Sequence, residues 1–73
     1  MGPNSDDALF VNARGMKCPW PALRAARALR DALAIMIEAD DPIAGSELAA
    51  LAQAHGWTFT RLNDQRFFLS RMG

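Results

Sequence analysis

Reactive chemistry in this 73-residue chain centres on Cys18, its only cysteine. Two prolines, Pro19 and Pro21, follow the cysteine closely, and two cations, Arg14 and Lys17, precede it. The thiolate is the reactive form of cysteine, and positive potential from a helix N-terminus or from nearby cations lowers the pKa of a thiol. The spacing therefore predicts a reactive thiolate at the start of a helix.

The prolines also predict how that helix begins. Pro19 suits the first helical position, because its missing N–H would have no partner there. Cys18 is then the N-cap residue, and the N–H of Trp20 is the near donor to the sulfur, since Pro21 has no N–H. A lone cysteine is more often a small buried core residue. The flanking prolines and cations instead favour a sulfur exposed to solvent.

The motif resembles the CPxP signature of the TusA/SirA-like sulfur-carrier family. The matching positions are Arg14, Gly15, Cys18, Pro19 and Pro21. Asn12 stands where the family commonly has Asp. The run Ala39-Asp40-Asp41-Pro42 looks like a second landmark of the family, and a helix ending before Gly56 looks like a third. The resemblance covers nearly the whole chain from about Leu9.

The resemblance implies that Cys18 is the catalytic residue of a sulfurtransferase-type carrier, which accepts sulfane sulfur as a persulfide and relays it. It also implies that Gly15 is the backbone hinge and that Pro19 and Pro21 shape the turn. From their own chemistry, the cations Arg14 and Lys17 and the neighbouring Trp20 are expected to help position the thiolate. The implied partners are a sulfur-donor protein, either a cysteine desulfurase or a rhodanese-like protein, and a sulfur-acceptor protein. Whether such a carrier is itself an enzyme stays open.

Composition restricts the other possibilities. Hydrophobic residues make up 51% of the chain, enough for a modest core in one small domain. A net charge of zero argues against a nucleic-acid partner. One cysteine and one histidine cannot form a disulfide within the chain or a structural zinc site, so no metal or cofactor is expected. The chain has no membrane-spanning apolar run and no signal pattern in residues 1–7, which predicts a cytoplasmic protein without a membrane partner.

Charge is segregated along the chain. The basic residues of the first half are Arg14, Lys17, Arg24, Arg27 and Arg30, and the acidic residues that follow are Asp31, Glu38, Asp40, Asp41 and Glu47. Arg24 and Arg27 lie on the helix that Cys18 begins. We therefore expect these two arginines to dock an acidic partner, although a solvated helix face is the simpler interpretation.

Hydrophobic periodicity predicts the elements. Leu9, Val11 and Ala13 alternate with Phe10, Asn12 and Arg14, which predicts a first strand with Leu9 and Val11 towards the core. Residues 19–32 predict a helix whose apolar stripe comprises Ala22, Ala25, Ala26, Leu29, Ala32 and Leu33. A second strand is expected over residues 34–39. Ser46 can cap a second helix over residues 47–55, and a hairpin follows with strands at 57–62 and 66–71.

This order predicts an α/β (α+β) two-layer sandwich, β-α-β-α-β-β, with a mixed four-stranded sheet and two helices on one face. Residues 1–8 are expected to be a flexible lead-in and residues 9–73 a single domain. Trp57, Phe59 and one of Phe67 or Phe68 are expected in the core. His55 is the only candidate base for Cys18, and a structural role for it is favoured.

Two other functions stay open beside the carrier. A non-catalytic regulatory or interaction module of the SirA-like type would keep its activity in a Cys18→Ser variant. RNA binding through the basic helix is a weaker alternative. It predicts salt-dependent binding that requires Arg24 and Arg27 and is indifferent to Cys18.

Overall fold

The computed structural model describes residues 8–71, so the predicted lead-in at residues 1–8 lies almost entirely outside the described part of the chain. Six elements follow in the predicted order. They are β1 (Leu9–Asn12), α1 (Trp20–Asp31), β2 (Ala34–Glu38), α2 (Ala44–His55), β3 (Thr58–Arg61) and β4 (Arg66–Ser70). This confirms the predicted α+β two-layer sandwich with its mixed four-stranded sheet.

The sheet has the strand order β1-β2-β4-β3. β1 pairs in parallel with β2, with Val11 opposite Ile37. β4 pairs antiparallel with both β2 and β3, so that Ile37 and Thr60 lie opposite Phe67 and Phe68 respectively. A parallel pair needs a crossover connection, and α1 supplies it between β1 and β2.

The core lies between the sheet and the two helices. The strands contribute alternate residues, as expected for a sheet with one buried face. The buried hydrophobic strand residues are Val11, Ile35, Ile37, Phe67 and Leu69, and the buried helix residues include Pro21, Ala25, Leu29, Leu48 and Ala52. Met16, Trp57 and Phe59 pack against this cluster while keeping some exposure. Of the predicted core aromatics, Phe67 is therefore the fully buried one.

Two residues predicted to face the core are instead about half exposed. Leu9, at 48% exposure, belongs to the edge strand β1, which lacks a neighbour on one side. Leu33, at 54%, lies beyond the end of α1 and no longer follows its helical face. The buried stripe of α1 instead follows Pro21, Ala25 and Leu29, spaced by four residues.

α2 begins three residues earlier than predicted. Its N-cap is Ile43 rather than Ser46, whose hydroxyl donates to the Ile43 carbonyl at 3.1 Å. The Asp41 carboxylate accepts the Ile43 N–H at 3.1 Å, an Asx-type contact that shapes the chain just before the helix. The helix ends at Gly56, whose φ of 73° is in the left-handed region, as predicted.

Parallel pairing of β1 and β2 decides where the loops that follow the two strands can meet. The carboxyl ends of the two strands lie at the same edge of the sheet, so the segments that follow them meet there. Residues 13–19, here called the motif loop, follow β1. Residues 39–43, here called the acidic loop, follow β2.

Candidate functional site

Carboxylates of the acidic loop hold the backbone of the motif loop. Asp40 accepts a hydrogen bond from the Gly15 N–H at 3.0 Å through Oδ1. Asp41 accepts one from the Cys18 N–H at 2.7 Å through Oδ2. Hydrogen bonds to a charged acceptor are stronger than neutral ones. Two consecutive aspartates therefore fix the position of the cysteine relative to the sheet.

A tight turn brings the chain from β1 to Cys18. The Met16 N–H donates to the Ala13 carbonyl at 3.2 Å, and Gly15 within the turn has a φ of 81°. This left-handed conformation is costly for residues with a Cβ, which explains the glycine. Asn12 closes the turn from the strand side, because its Oδ1 accepts the Arg14 N–H at 3.1 Å. An asparagine can thus make the backbone contact that an aspartate would make there.

α1 begins one residue later than predicted, so Cys18 is not its N-cap. Pro19 is the N-cap residue and the Cys18–Pro19 peptide bond is cis. The Trp20 N–H donates to the Lys17 carbonyl at 2.8 Å, so it is not the predicted donor to the sulfur. Pro21 lies in the first helical turn, where its missing N–H costs no helical hydrogen bond.

The Cys18 thiol is half-buried and lies beside carboxylates. Burial raises the pKa of the thiol, and its hydrogen bond with the Glu47 side chain raises that pKa further. The negative charges of Glu47 and Asp41 add to the increase. The direction is opposite to the predicted lowering of the Cys18 pKa by the helix N-terminus and nearby cations, so that prediction is wrong.

Arg14 is directed away from the thiol, which explains why it does not stabilise a thiolate. Its Nε donates to Glu38 Oε1 and its Nη2 to Gln65 Oε1, both at 3.1 Å. Arg66 also donates to Glu38. These hydrogen bonds, first from Arg66 and then from Arg14, hold the pKa of the Glu38 carboxyl below its ordinary value. Arg14 therefore ties the motif loop to β2 and to the turn before β4.

Asp41 is the charged residue that most directly contacts the motif loop. The backbone N–H groups of Cys18 and then Ile43 lower the pKa of its carboxyl, and the charge of Lys17 lowers it further. Lys17 thus acts on Asp41, and it is not among the groups that shift the Cys18 pKa. A cavity of about 290 Å³ lies between the motif loop and the acidic loop, lined by both residues.

The outer side of α1 presents an apolar surface next to the cysteine. Trp20 is 60% exposed and Leu23 51% exposed. Together with Met16 they line a groove of about 500 Å³, whose other lining residues are Arg24 and Arg27. Arg24 and Arg27, the two arginines predicted to dock a partner, therefore line the same groove as Trp20. Met16 and Leu23 were not predicted to belong to the site.

His55 lies too far along α2 to act on the thiol. It is in the last turn of the helix and stacks on Trp57, with ring centroids 4.4 Å apart. Glu47, in the first turn, is about 12 Å away along the helix axis. The first turn of α2, rather than its last, faces Cys18. The favoured structural role of His55 agrees with this geometry.

A comparison with protein-family models decides the family. The model for the sulfurtransferase TusA matches residues 9–69, which is most of the chain. This chain belongs to the TusA family. Comparison with individual curated proteins finds no significant match. The TusA match covers all six elements except the last residue of β4, so the site described above lies entirely within it.

Membrane-spanning helices and metal sites are both absent from residues 8–71. Over that range, no helix is long and apolar enough to cross a membrane. The same residues contain no group of three or more histidine, cysteine, aspartate or glutamate side chains placed to hold a metal ion.

Proposed function

We propose that this TusA-family protein carries sulfane sulfur as a persulfide on Cys18, accepting it from a donor protein and relaying it to an acceptor protein. The supporting observation is the placement of Cys18. It is the one cysteine of the chain, it lies in a loop held by two aspartates, and its flanks form an exposed groove. A carrier needs a single sulfur that two different proteins can reach in turn.

Transfer of sulfur from a donor persulfide needs only one cysteine in this protein. The Cys18 sulfur attacks the outer sulfur of a donor persulfide, a new S–S bond forms at Cys18, and the donor S–S bond breaks. The departing donor thiolate takes the proton that Cys18 loses, so no oxidant, metal or cofactor is required. Unloading is the same exchange with an acceptor thiol as the attacking group and Cys18 as the leaving thiol.

The carboxylates beside Cys18 fit a carrier that reacts only in a complex. The hydrogen bond and the charge of Glu47 raise the pKa of the thiol, which disfavours the nucleophilic thiolate in the free protein. The outer sulfur of a persulfide lies about 2.05 Å beyond the inner one, which extends the reach of the group that a partner must contact. Glu47, as the hydrogen-bond partner of the thiol, can relay its proton to the departing donor thiolate during attack.

The other motif residues have positioning roles in this proposal. Gly15, Pro19 and Pro21 shape the turn and the first turn of α1, while Arg14 and Lys17 hold the loop through acidic neighbours. Arg24 and Arg27 contact the partner. The donors proposed are a cysteine desulfurase or a rhodanese-like protein in the cytoplasm.

Intact-mass spectrometry tests this proposal. The protein is incubated with a cysteine desulfurase, pyridoxal phosphate and cysteine, or with a rhodanese and thiosulfate, beside a Cys18→Ser control. We expect a gain of one sulfur atom that is removed by reductant and absent from the control. No gain with either donor would reject the proposal.

The raised pKa of the Cys18 thiol favours one alternative, a regulatory module that does not use the sulfur. In that case, Cys18→Ser would keep full activity in its pathway, whereas a carrier would lose it. Complementation of a deletion strain by the Cys18→Ser variant separates the two functions.

A further inference from the structure

The groove on α1 has the composition of a binding site for a protein segment. Its lining residues on the helix are Trp20, Leu23, Arg24 and Arg27, spaced i, i+3, i+4 and i+7. This spacing places all four on one face of a helix. The buried stripe of α1, at Pro21, Ala25 and Leu29, lies on a different face. The groove residues are therefore not needed to fill the core.

The apolar part of the groove is unusually exposed for its residue types. Trp20 and Leu23 are 60% and 51% exposed, and Met16 closes one side while it packs partly on the core. An aromatic ring beside an arginine is the composition typical of interface residues that contribute most to binding. A volume of about 500 Å³ accommodates a bulky apolar side chain with its flanking backbone.

The charges around the groove indicate which charged groups a bound protein segment would need beside its apolar side chain. Of residues 8–71, the charged residues that line the groove are Arg24 and Arg27, and no acidic residue of that range does. Within residues 8–71, the ion pairs present involve Arg14 and Arg66 with Glu38, so neither groove arginine is paired in this way. Their guanidinium groups remain available to carboxylates of another molecule.

The groove also adjoins the reacting sulfur. Met16 and Trp20, which line it, lie two residues before and two residues after Cys18. Two residues span at most about 7.6 Å between Cα atoms. A segment bound in the groove therefore brings its own chain within a short distance of the Cys18 sulfur.

We infer that this groove binds an acidic segment of the sulfur-exchange partner, with one bulky apolar side chain of that segment seated between Trp20 and Leu23 and its carboxylates on Arg24 and Arg27. This inference rests on the proposed carrier function. It adds the chemistry by which the carrier recognises its partner.

A peptide titration followed by NMR tests the inference. The probe is the amidated peptide Ac-EEDLEE, and the two tryptophan indole N–H signals of the protein are recorded. We expect the Trp20 signal to shift and the Trp57 signal to stay, because Trp57 lies outside the groove. A peptide with serine in place of leucine should bind about tenfold more weakly, and a lysine-rich peptide should not bind. Equal shifts with the leucine and serine peptides would overturn the inference, as would no Trp20 shift at millimolar peptide.

Matched variants test whether the peptide binds in the groove. Leu23→Ala and Arg27→Ala should weaken peptide binding about tenfold and about threefold. Leu62→Ala and Arg30→Ala remove an exposed leucine and arginine outside the groove, and should change binding less than twofold. If Arg30→Ala and Arg27→Ala have equal effects, general charge attraction replaces the groove as the explanation. A Trp20 shift that follows protein concentration without peptide would assign the groove to a second copy and overturn the inference.

A loading experiment separates this inference from the proposed function. Inorganic polysulfide can transfer its outer sulfur to Cys18 without using the groove, so loading from polysulfide is the reference against which Leu23→Ala is compared. The same variant should load about tenfold more slowly from a protein donor. Failure of the unsubstituted protein to load from either source contradicts the carrier function. Normal protein-donor loading by Leu23→Ala contradicts only the groove.

Discussion

The backbone N–H of Cys18 donates a 2.7 Å hydrogen bond to Oδ2 of Asp41, which follows the neighbouring parallel strand. The other oxygen of the same carboxylate accepts the Ile43 N–H at 3.1 Å. One side chain thus joins the loop that carries the cysteine to the start of α2. The position of the thiol depends on a residue 23 positions away in sequence.

Replacing Asp41 should loosen the site without unfolding the sheet. Asp41→Ala removes both hydrogen bonds, whereas Asp41→Asn keeps one oxygen acceptor. We expect amide exchange at Cys18 and Ile43 to become about tenfold faster in Asp41→Ala and less so in Asp41→Asn. Exchange at Ile37, in the centre of the sheet, is the internal control. Unchanged amide exchange at Cys18 in Asp41→Ala would show that Asp41 does not hold the motif loop in place.

Glu47→Gln should make the cysteine more reactive. Glutamine can still accept the thiol hydrogen bond but no longer repels a thiolate, so the pKa of Cys18 falls and the thiolate fraction at pH 7 rises. Alkylation by iodoacetamide should accelerate by about three- to tenfold. Asp31→Asn, an exposed acid at the end of α1, is the control and should alkylate at the unsubstituted rate. A slower reaction in Glu47→Gln would contradict this electrostatic account.

Glu38 should make stability depend on pH in the acidic range. Hydrogen bonds from Arg66 and Arg14 lower the pKa of its carboxyl in the folded state. A group with a lowered folded pKa stabilises the protein above its unfolded pKa, about 4.3, and loses that contribution as pH falls through the folded value. The melting temperature should therefore decrease between about pH 5 and pH 3.

Glu38→Gln tests the origin of that decrease. The variant should melt lower than the unsubstituted protein at pH 6, and its melting temperature should change less on acidification. Asp64→Asn, in the exposed hairpin turn, should follow the unsubstituted protein. If the melting temperature changes with pH in the same way in all three proteins, Glu38 is not the titrating group.

Gly15→Ala tests the turn before the cysteine. A Cβ at this position meets no atom within 4 Å, so the cost comes from the left-handed φ of 81° alone. We expect a loss of about 1–2 kcal/mol in the free energy of unfolding, measured with urea. Gly56→Ala, at a φ of 73° in the cap of α2, should cost about the same.

The two glycine variants differ in what they do to sulfur loading. Gly15→Ala shifts the motif loop and should slow persulfide formation on Cys18, whereas Gly56→Ala is remote from it and should not. Equal loading rates in the two variants would mean that the turn at Gly15 serves stability only.

Much of the fold follows from local patterns. Alternation predicted the strands around Val11 and Ile37, and the Gly56 cap predicted the end of α2. These features depend on residues close in sequence. The exposure of Leu9 was not predictable in this way, because it results from the edge position of β1 in the assembled sheet.

The candidate site was only partly predictable for the same reason. The CPxP pattern identified Cys18 and its turn, but the charges next to the thiol come from Asp41 and Glu47, which are 23 and 29 residues further along the chain. Local cations predicted a lowered thiol pKa, whereas the folded chain turns Arg14 towards Glu38 and places carboxylates at the sulfur. Only the parallel pairing of β1 and β2, followed by α2, brings these groups together.

Locating the transferred sulfur tests the central claim most directly. Trypsin cleaves after Lys17 and Arg24 and so isolates residues 18–24, which contain the only thiol of the chain. After loading from a protein donor and trapping with iodoacetamide, this peptide should carry one additional sulfur between the cysteine and the alkyl group. A protein acceptor added before trapping should remove that sulfur. An unmodified peptide 18–24 from a folded, fully incubated protein would contradict the carrier function.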